Sequence, residues 1–336
     1  MKNTFKFLAI TVTAILVSCS KSNDSSPQPA KYFVTTLAGI PGSQGDINGN
    51  ATVAKLFSPD AIAVDGDGTV YVGDNNHKIK TITTAGFVSR YIGSTQGDVN
   101  GVGANAKLDS PAGLAFNQVG LLTISHRNNI KNVSVLGGTT TFIGSSSGNN
   151  QLNGTAAKLS YPSGICYDTQ GNLYVADSNN HVIKKYNSSG AFIASTITNS
   201  LLIPLGICIY GNYIYVASWN SNRIVRFDLN LANGINFAGS TVGDLDGNGI
   251  DARFDGPSGI CADSQGNLYV TDSRNSKIKK ITPNGDVITI SGDSSGYADG
   301  IGITAKFNYP NGIYYFNNKL YVSDTSNHCI RVIDYL

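Results

Sequence analysis

The sequence predicts an all-β protein that folds as a six-bladed β-propeller of four-stranded antiparallel blades. The main observation is a phrase that recurs six times: a proline and usually a glycine, a short apolar strand, a turn, and a second strand. A period of about 40–50 residues that contains several short strands is typical of a propeller. The prolines that mark the six units lie 52, 51, 42, 53 and 53 residues apart: Pro59, Pro111, Pro162, Pro204, Pro257 and Pro310.

Composition is the second observation that supports this fold class. All 22 acidic residues are Asp, no Glu is present, and the chain contains 38 Gly. Glu favours helices whereas Asp and Gly favour turns, so this balance indicates a turn-rich β protein and excludes any mechanism that needs a Glu. Without residues 1–18, which contain two lysines and no acid, the chain has 22 basic and 22 acidic residues. This neutral balance argues against a nucleic-acid partner.

The third unit shows most clearly how one blade is built. We predict strands at residues 164–168, 173–176, 181–186 and 191–196, separated by turns that contain Gly, Asn and Ser. Gly and Asn tolerate the positive φ of tight turns, and Tyr, Val and Ile suit a pleated surface. Four such strands make one blade.

The two ends of the repeat region predict how the ring closes. The last unit stops at its third strand, near residues 330–333, while residues 32–37 form an isolated strand that resembles the fourth strands of other units. We expect this N-terminal strand to complete the sixth blade, which leaves no open edge between the first and last blades. The predicted propeller domain is residues 31–336.

Residues 1–18 have the features of a secretory signal peptide. Two lysines form a basic start, and the uncharged stretch 7–17 is too short to span a bilayer. The following Cys19 resembles the acylated cysteine of a bacterial lipobox, with an ordinary signal peptide as the alternative. Residues 19–30 are polar and predict a flexible tether. We therefore expect a lipid-anchored protein of the cell envelope, at the outer membrane, that faces the periplasm or the exterior.

The residues of the repeat motif resemble those of a known family. Residues 162–177 and 257–272 both read Pro-Ser-Gly-Ile-Cys, then Gln-Gly-Asn-Leu-Tyr-Val, and end on Asp, and Asn-His precedes the third strand in several units. These units resemble NHL repeats over essentially the whole of residues 31–336. The pattern Gly-x-x-x-Gly-x-x-Asp-Gly-x-Gly-x-x-Ala-x-Phe, at 239–254 and 292–307, is similar to the segment between NHL blades. The resemblance implies a binding platform for protein or RNA, an extracellular module or, less often, an enzyme such as a lyase or lactonase.

Several residue types that could carry chemistry have structural explanations. Cys166, Cys208 and Cys261 share one repeat position, which predicts inert thiols in small buried sites, and Cys329 is expected to be inert as well. The motif histidines belong to three separate blades, so a shared zinc site is not expected; they are His77, His181 and His328. No Ser-His-Asp or Cys-His set can be assembled, so no catalytic residue is predicted.

Two groups of acids leave alternatives open. Asp244, Asp246, Asn248 and Asp255 resemble a calcium loop without its final Glu, and the alternatives are structural Asx turns or a weak Ca²⁺ site. No other cofactor is expected. A second set of acids follows the second strand of four units: Asp74, Asp177, Asp272 and Asp324. Their side chains either accept hydrogen bonds from the following turn or bind a substrate.

The segment that enters the fourth blade, residues 198–203, is about ten residues shorter than its equivalents, which predicts a notch in one face. Trp219 lies in a turn on the same face and is the predicted aromatic anchor, with His126, Arg127 and Arg274 as polar contacts. Packing of Trp219 on a neighbouring loop is the alternative. These residues predict a platform that binds a protein or glycan partner and touches the membrane only through its lipid.

Two rival functions remain. A metal-assisted lyase or lactonase would need several acids or histidines that point into the channel, whereas the inner strands are apolar. A purely structural envelope protein would have no functional cluster. Enzymatic activity is therefore not the favoured function.

Overall fold

The computed structural model describes residues 32–196 and 201–335. In these ranges, the main strands form six antiparallel sheets arranged as blades around a central channel. The predicted signal peptide, Cys19 and the tether lie outside the described residues. No helix in the described ranges is long and apolar enough to cross a bilayer. The predicted fold class, an all-β six-bladed propeller with four-stranded blades, is confirmed.

The strands follow the chain in blade order, after β1 (Tyr32–Ala38). Blade one contains β2 (Pro59–Val64), β3 (Val70–Asp74), β4 (Lys78–Ile82) and β5 (Val88–Ile92). Blade two contains β6 (Pro111–Phe116), β7 (Leu122–His126), β8 (Asn129–Val133) and β9 (Thr139–Ile143), and is followed by the short β10 (Ser146–Ser147) and β11 (Lys158–Leu159). Blade three contains β12 (Pro162–Tyr167), β13 (Leu173–Asp177), β14 (Val182–Tyr186) and β15 (Phe192–Ser195).

The second half of the ring repeats this order. Blade four contains β16 (Pro204–Tyr210), β17 (Tyr213–Ser218), β18 (Arg223–Asp228) and β19 (Ile235–Ala238). Blade five contains β21 (Pro257–Ala262), β22 (Leu268–Asp272), β23 (Lys277–Ile281) and β24 (Asp286–Ser291), with the short β20 (Gly247–Asn248) beside β24. Blade six contains β26 (Pro310–Phe316), β27 (Lys319–Asp324), β28 (Cys329–Tyr335) and β1, with the short β25 (Gly300–Ile301) beside β1. Short 3-10 turns lie at Gly103–Asn105, Gly154–Ala156, Ser178–Asn180, Trp219–Ser221, Gly249–Asp251, Gly302–Thr304 and Thr325–Asn327.

The ring closes as predicted, because β1 is the fourth strand of blade six. It pairs antiparallel with β28 over a register that runs from Tyr32 opposite Tyr335 to Ala38 opposite Ile330. The junction between blades six and one is also bonded, since the Thr325 hydroxyl donates to the Pro59 carbonyl at 2.7 Å. The first and last described strands are therefore held within one sheet.

Inner strands begin at the repeat proline, two residues earlier than predicted in blade three. Pro162 pairs with Asp177, and the register then shifts before Ile165 pairs with Val175. A proline has no N–H for the ladder, so a bulge directly after it lets the remaining residues pair normally. The same bulge in each blade sets the side chains after the proline toward the channel.

The hydrophobic core is divided among the spaces between neighbouring blades. One cluster, for example, packs Tyr174 and Ala176 of blade three against Ile207, Ile214 and Val216 of blade four. Successive side chains of a strand point to opposite faces, so each blade contributes to two such clusters. Packing of this kind holds the inner strands rigidly around the channel.

Candidate functional site

The six inner strands enclose a cavity of about 790 Å³ that opens on the loop-rich face. We use that name for the face that carries the segments entering each blade and the turns between second and third strands. The residues directly after the repeat prolines line the cavity at this end, and they are Asp60, Ala112, Ser163, Leu205, Ser258 and Asn311. Deeper in the channel the lining consists of Ile, Leu, Ala, Gly and Cys, together with four aromatic residues: Phe116, Tyr167, Tyr314 and Tyr315. The cavity therefore has several polar side chains near its opening and mainly apolar and aromatic side chains below.

The opening is bordered by the six residues that precede the repeat prolines, which we call the rim. All six have a left-handed backbone, with φ between 46° and 62°: Ser58, Ser110, Tyr161, Ile203, Gly256 and Tyr309. This conformation is costly for a branched residue such as Ile203, so the surrounding structure must impose it.

Motif side chains of the preceding blade hold the rim in place. The Nδ1 atoms of His77, His181 and His328 accept the N–H groups of rim residues in the next blade, at 3.1–3.3 Å. In blade four the side-chain oxygen of Asn222 accepts the N–H of Gly256 at 3.0 Å. These histidines therefore join blades at three separate junctions.

Trp219 and Arg274 come together at the opening, as part of one cluster between blades four and five. The Arg274 guanidinium lies 4.8 Å from the Trp219 ring centroid and 3.3 Å from Asp255. Tyr309 lies on another side of the indole, with ring centroids 5.7 Å apart. Trp219 is partly buried and lines the cavity. It packs on its neighbours, as the alternative predicted, and still presents indole surface to the cavity.

Gly256 makes this cluster possible. A Cβ atom at residue 256 would lie 3.2 Å from the Trp219 ring and 3.3 Å from the Arg274 side chain. The other rim residues carry side chains, so the indole of Trp219 lies over the one rim position without one. The short segment that enters blade four is described only from Leu201 onward, so the predicted notch lies partly outside the described residues.

Arg127 belongs to a different part of the same face. Blade two lies across the ring from blade five, and the Arg127 guanidinium is 57% exposed and 3.4 Å from Asp109. Arg127 does not line the cavity. Its side chain is therefore accessible but separate from the cavity, and the sequence could not show this because the separation depends on blade order around the ring.

The assignment of His126 as a surface contact is wrong, because its side chain is completely buried. Its Nδ1 accepts the N–H of Asp109 at 3.3 Å. Asp177 accepts the equivalent N–H of Ser160 at 2.7 Å, and Ser218 accepts that of Leu202 at 2.9 Å. His126 therefore replaces the repeat acid of blade two. It lies 15 residues after its proline, as Asp177 does, and this count was the available signal.

The repeat acids have a structural role, with a partner that the sequence reasoning missed. Each accepts an N–H from the segment that enters its own blade, as well as contacts from the following turn; their donors are Phe57, Ser160, Asp255 and Asn308. Most also face a buried cation on the third strand, for example Asp177 with Lys184 at 2.9 Å. These pairs fasten the entering segments to the blades.

Replacing His126 with Asn should make the unfolding free energy less sensitive to acid. Burial, together with the charge of Lys131, lowers the pKa of His126 to about 4 from 6.5. Between pH 6.5 and pH 4, His126 is therefore protonated in the unfolded chain but stays neutral in the folded protein. The free energy of unfolding decreases as the pH falls through this range. Asn retains an acceptor for the Asp109 N–H and does not titrate.

The measurement is the thermal unfolding midpoint at pH 7.5 and pH 4.5. From pH 7.5 to pH 4.5 the midpoint should fall further in the wild type than in His126→Asn. Between pH 7.5 and pH 8.5 the midpoints of the two proteins should change by the same amount. Equal falls on acidification would show that His126 does not contribute.

The residues that resemble a calcium loop bind side chains of the protein in the structure. Lys279 is fully buried and lies 3.1 Å from Asp244 and 2.8 Å from Asp246. Burial alone would raise the pKa of Asp246, but the hydrogen bonds from Lys279 and Thr289 lower it. Asn248 is bonded to Asp286 at 2.8 Å instead. Asp244 and Asp246 therefore converge on the ammonium group of Lys279. No group of three or more His, Cys, Asp or Glu side chains that could hold a metal ion is found in residues 32–196 and 201–335.

The three channel cysteines lie at one level of the inner strands. Burial raises the pKa of the Cys166, Cys208 and Cys261 thiols well above its usual value, and each is unoxidised. Cys166 and Cys208 are only partly buried and line the cavity, which differs from the fully buried position expected. Thiols with such a raised pKa are unreactive.

Asp60 is the residue that the sequence reasoning missed. It directly follows the first repeat proline, is partly exposed, and lines the cavity. Burial raises the pKa of Asp60 to about 6, although a hydrogen bond from the Asn311 side chain lowers it. Alignment of the six units at the position after each proline would have shown one acid among Ala, Ser, Leu and Asn.

The repeats can now be compared with known families. The family model of the NHL repeat matches residues 159–186, 254–281 and 307–333. These stretches cover the first three strands of blades three, five and six. The chain carries NHL repeats. The matched stretches do not include blades one, two and four. Blades two and four contain His126 and Ser218 in place of the repeat acid.

Relatives of known structure share this fold. The chain superposes on an auxiliary nutrient binding protein from Bacteroides thetaiotaomicron with a TM-score of 0.72 and 20% identity, over 91% of this chain and 77% of that one. It superposes on a gluconolactonase from Xanthomonas campestris with a TM-score of 0.58 and 15% identity, over 90% and 89% of the two chains. At these identities the likeness shows the fold alone.

A longer relative matches by sequence. The chloroplastic protein SUPPRESSOR OF QUENCHING 1 of Arabidopsis thaliana is 26% identical over 93% of this chain. The NHL propeller spans only 32% of the length of that plant protein.

Proposed function

We propose that this NHL propeller is a binding protein of the cell envelope that takes up a glycan at the opening of its channel. The observation that carries the proposal is Trp219, held by Arg274 and Tyr309 at the edge of a cavity of about 790 Å³. Ligand sites typically have volumes of about 300–1,000 Å³ and combine apolar walls with a few polar groups. An aromatic ring can stack on the apolar face of a sugar.

The shape of the site favours a glycan over a protein partner. Trp219 faces a concave opening, and serine and asparagine side chains lie below it. Protein hot spots instead lie near the centre of a broad interface, surrounded by contacts that exclude water. Arg127, outside the cavity, is proposed only as an outer contact for a chain that extends across the loop-rich face.

The relatives are compatible with this proposal. Nutrient-binding propellers from Bacteroides are among the structural neighbours, and uptake of nutrients takes place at the cell envelope. Export by residues 1–18 and lipid attachment at Cys19 would place the propeller there. Both remain part of the proposal.

The rival function, a metal-assisted lyase or lactonase, has less support from the cavity lining. Neighbours with these activities share the fold. The rival needs several acids or histidines that point inward, and Asp60 is the single acid among the described residues of the lining, which include no histidine. The binding function therefore explains more of the site.

Replacing Trp219 with Ala should reduce glycan binding at least tenfold, because the stacking surface at the opening is lost. The purified protein is applied to an array of neutral, acidic and amino-bearing oligosaccharides, and the positive glycans are titrated. Trp219 is the only tryptophan of the chain, so its fluorescence reports directly on occupancy of the wild-type site.

The matched control is Tyr213→Ala. Tyr213 is also an exposed aromatic residue, and the Arg226 guanidinium lies 4.3 Å from its ring centroid. It begins β17, beside the turn between the first and second strands, on the opposite face. Its loss should leave binding unchanged. Binding that survives in Trp219→Ala, or no binding to any arrayed glycan, would contradict the proposal and favour a structural or protein-binding role.

A further inference from the structure

Asp60 gives the cavity a negative charge that nothing in its lining balances. It is the single side chain with a full charge at neutral pH among the described residues that line the cavity. Its pKa responds to burial and to the neutral Asn311, with no contribution from a cationic side chain. The Asn311 oxygen faces the Ser273 hydroxyl at 3.4 Å, which leaves its amide nitrogen to face Asp60.

Buried carboxylates elsewhere in the described residues are compensated in one of two ways. Asp263 has no cation and accepts hydrogen bonds from several neutral donors, among them the Asn267 side chain and the Tyr269 hydroxyl. Others are paired with a cation. Asp74, Asp177 and Asp324 are completely buried, and each lies within 3.6 Å of a Lys or Arg nitrogen. A buried carboxylate without a cation costs free energy. Asp60 has neither a cation nor a set of several neutral donors, since Asn311 is its one side-chain partner, and it lines the cavity. We infer from this that a positively charged group of the ligand is its counterpart.

The surroundings of Asp60 favour an organic ammonium over a metal ion. Ca²⁺ requires six to eight oxygen ligands, usually including several carboxylates, and one carboxylate is present. Aromatic rings lie at the opening, in Tyr161, Trp219 and Tyr309. The charge of Asp60 contributes, after burial, to the raised pKa of Tyr161, so this phenol is near the carboxylate. Aromatic rings and a carboxylate together suit an amine, by cation–π attraction and a charge-assisted hydrogen bond.

We propose that Asp60 recognises a free amino group on the ligand, so that the channel selects glycans with an unacetylated amino sugar over their neutral counterparts. This inference rests on the proposed glycan-binding function and refines it. The ammonium group donates to the Asp60 carboxylate, Asn311 orients that carboxylate, and the sugar ring lies toward the aromatic rim. No covalent step is involved.

The test uses three β-1,4 disaccharides that differ only at carbon 2: the glucosamine dimer, its N-acetylated form, and cellobiose. Titration at pH 7 is followed by calorimetry and by Trp219 fluorescence. The wild type should bind the glucosamine dimer at least tenfold more tightly than the other two. Asp60→Asn should lose this preference and keep its affinity for the neutral disaccharides.

Two controls separate this result from other causes. Asp251→Asn removes an exposed acid, changes the net charge equally, and should retain the preference. In the wild type, acidification from pH 7 to pH 5 protonates Asp60, whose pKa is about 6, and should reduce the preference without any substitution.

Each remaining outcome decides against the inference. Equal affinity for the three disaccharides, a preference that survives in Asp60→Asn, or no binding of any of them overturns the assignment of Asp60. Binding of neutral glycans that Trp219→Ala abolishes would still support the proposed function. The two proposals can therefore fail separately.

Discussion

Replacing Gly259 with Ala should destabilise the propeller by at least about 3 kcal/mol, because the inner strands approach too closely for a methyl group. A Cβ atom at residue 259 would overlap the carbonyl oxygen of Asn311 in the next blade, and would lie 3.0 Å from the Ile313 nitrogen. Both atoms belong to the backbone, so no side chain can move aside. Urea unfolding at pH 7 measures the loss.

The matched control is Gly66→Ala in the turn between β2 and β3. No heavy atom lies within 4 Å of a Cβ at residue 66, and its φ is outside the left-handed region. Alanine there should be neutral or stabilise by less than about 1 kcal/mol, since it restricts the unfolded chain. A Gly259→Ala protein within 1 kcal/mol of the wild type would contradict the close approach.

This close approach explains a glycine that the sequence shows but cannot interpret. Gly113, Gly164, Gly206, Gly259 and Gly312 each lie against the backbone of the next blade. Blade one has Ala61 instead, and there Gly73 on the neighbouring strand provides the space: a Cβ at residue 73 would lie 3.0 Å from the Ala61 methyl. Spacing predicted the strands, whereas only the three-dimensional ring shows why the glycine is needed.

The architecture was predictable because it depends on local, repeated signals. The proline spacing, the strand pattern and the isolated strand at residues 32–37 were sufficient for six blades and for the closure of the ring. Closure by β1 follows from strand counting alone, since blade six would otherwise lack its fourth strand.

The candidate site was only partly predictable, because it depends on which blades are neighbours. Trp219 and Arg274 meet because blades four and five are adjacent, whereas Arg127 lies across the ring. His126 was misplaced because it was assigned to the turn, whereas its distance from Pro111 puts it at the acid position, at the end of β7. Asp60 was overlooked because one acid beside a proline has no periodicity to draw attention to it.

The rigid ring and the site are physically connected. Motif histidines and Asn222 hold rim residues in a strained backbone, and the repeat acids hold the segments that enter each blade. A rigid scaffold positions binding residues at low entropic cost to the complex. One of the completely buried contacts of the repeat acids is in the closing blade, where one arginine connects three parts of the chain.

Replacing that residue, Arg331, with Met should destabilise the protein by about 3–5 kcal/mol at pH 7.5, the usual cost of removing one partner from a buried ion pair. Arg331 and Asp324 are both completely buried and 2.7 Å apart. The other guanidinium nitrogen lies 2.6 Å from Asp299 and donates to the Ala298 carbonyl at 2.8 Å. Met would leave Asp324 charged and buried, while Asp299 can be hydrated.

Two further variants distinguish this explanation from a general loss of packing. Lys319→Met removes an ion pair of equal length, 2.7 Å to Asp334, from a side chain that is 45% exposed; it should cost less than about 1 kcal/mol. Asn in place of Asp324 retains an acceptor for the Asn308 N–H. The double variant Asp324→Asn with Arg331→Met should therefore recover part of the loss, because no buried charge remains.

The pH dependence of the Arg331→Met loss gives the sharpest check. Burial raises the pKa of Asp324 to about 6 even with Arg331 present, and removal of the guanidinium should raise it further. A group whose folded-state pKa is raised loses its contribution to stability as the pH rises through that pKa. The destabilisation by Arg331→Met should therefore shrink between pH 7.5 and pH 5, as Asp324 becomes protonated and no longer needs a cation. An undiminished loss at pH 5 would show that the arginine acts through packing and its carbonyl contacts instead.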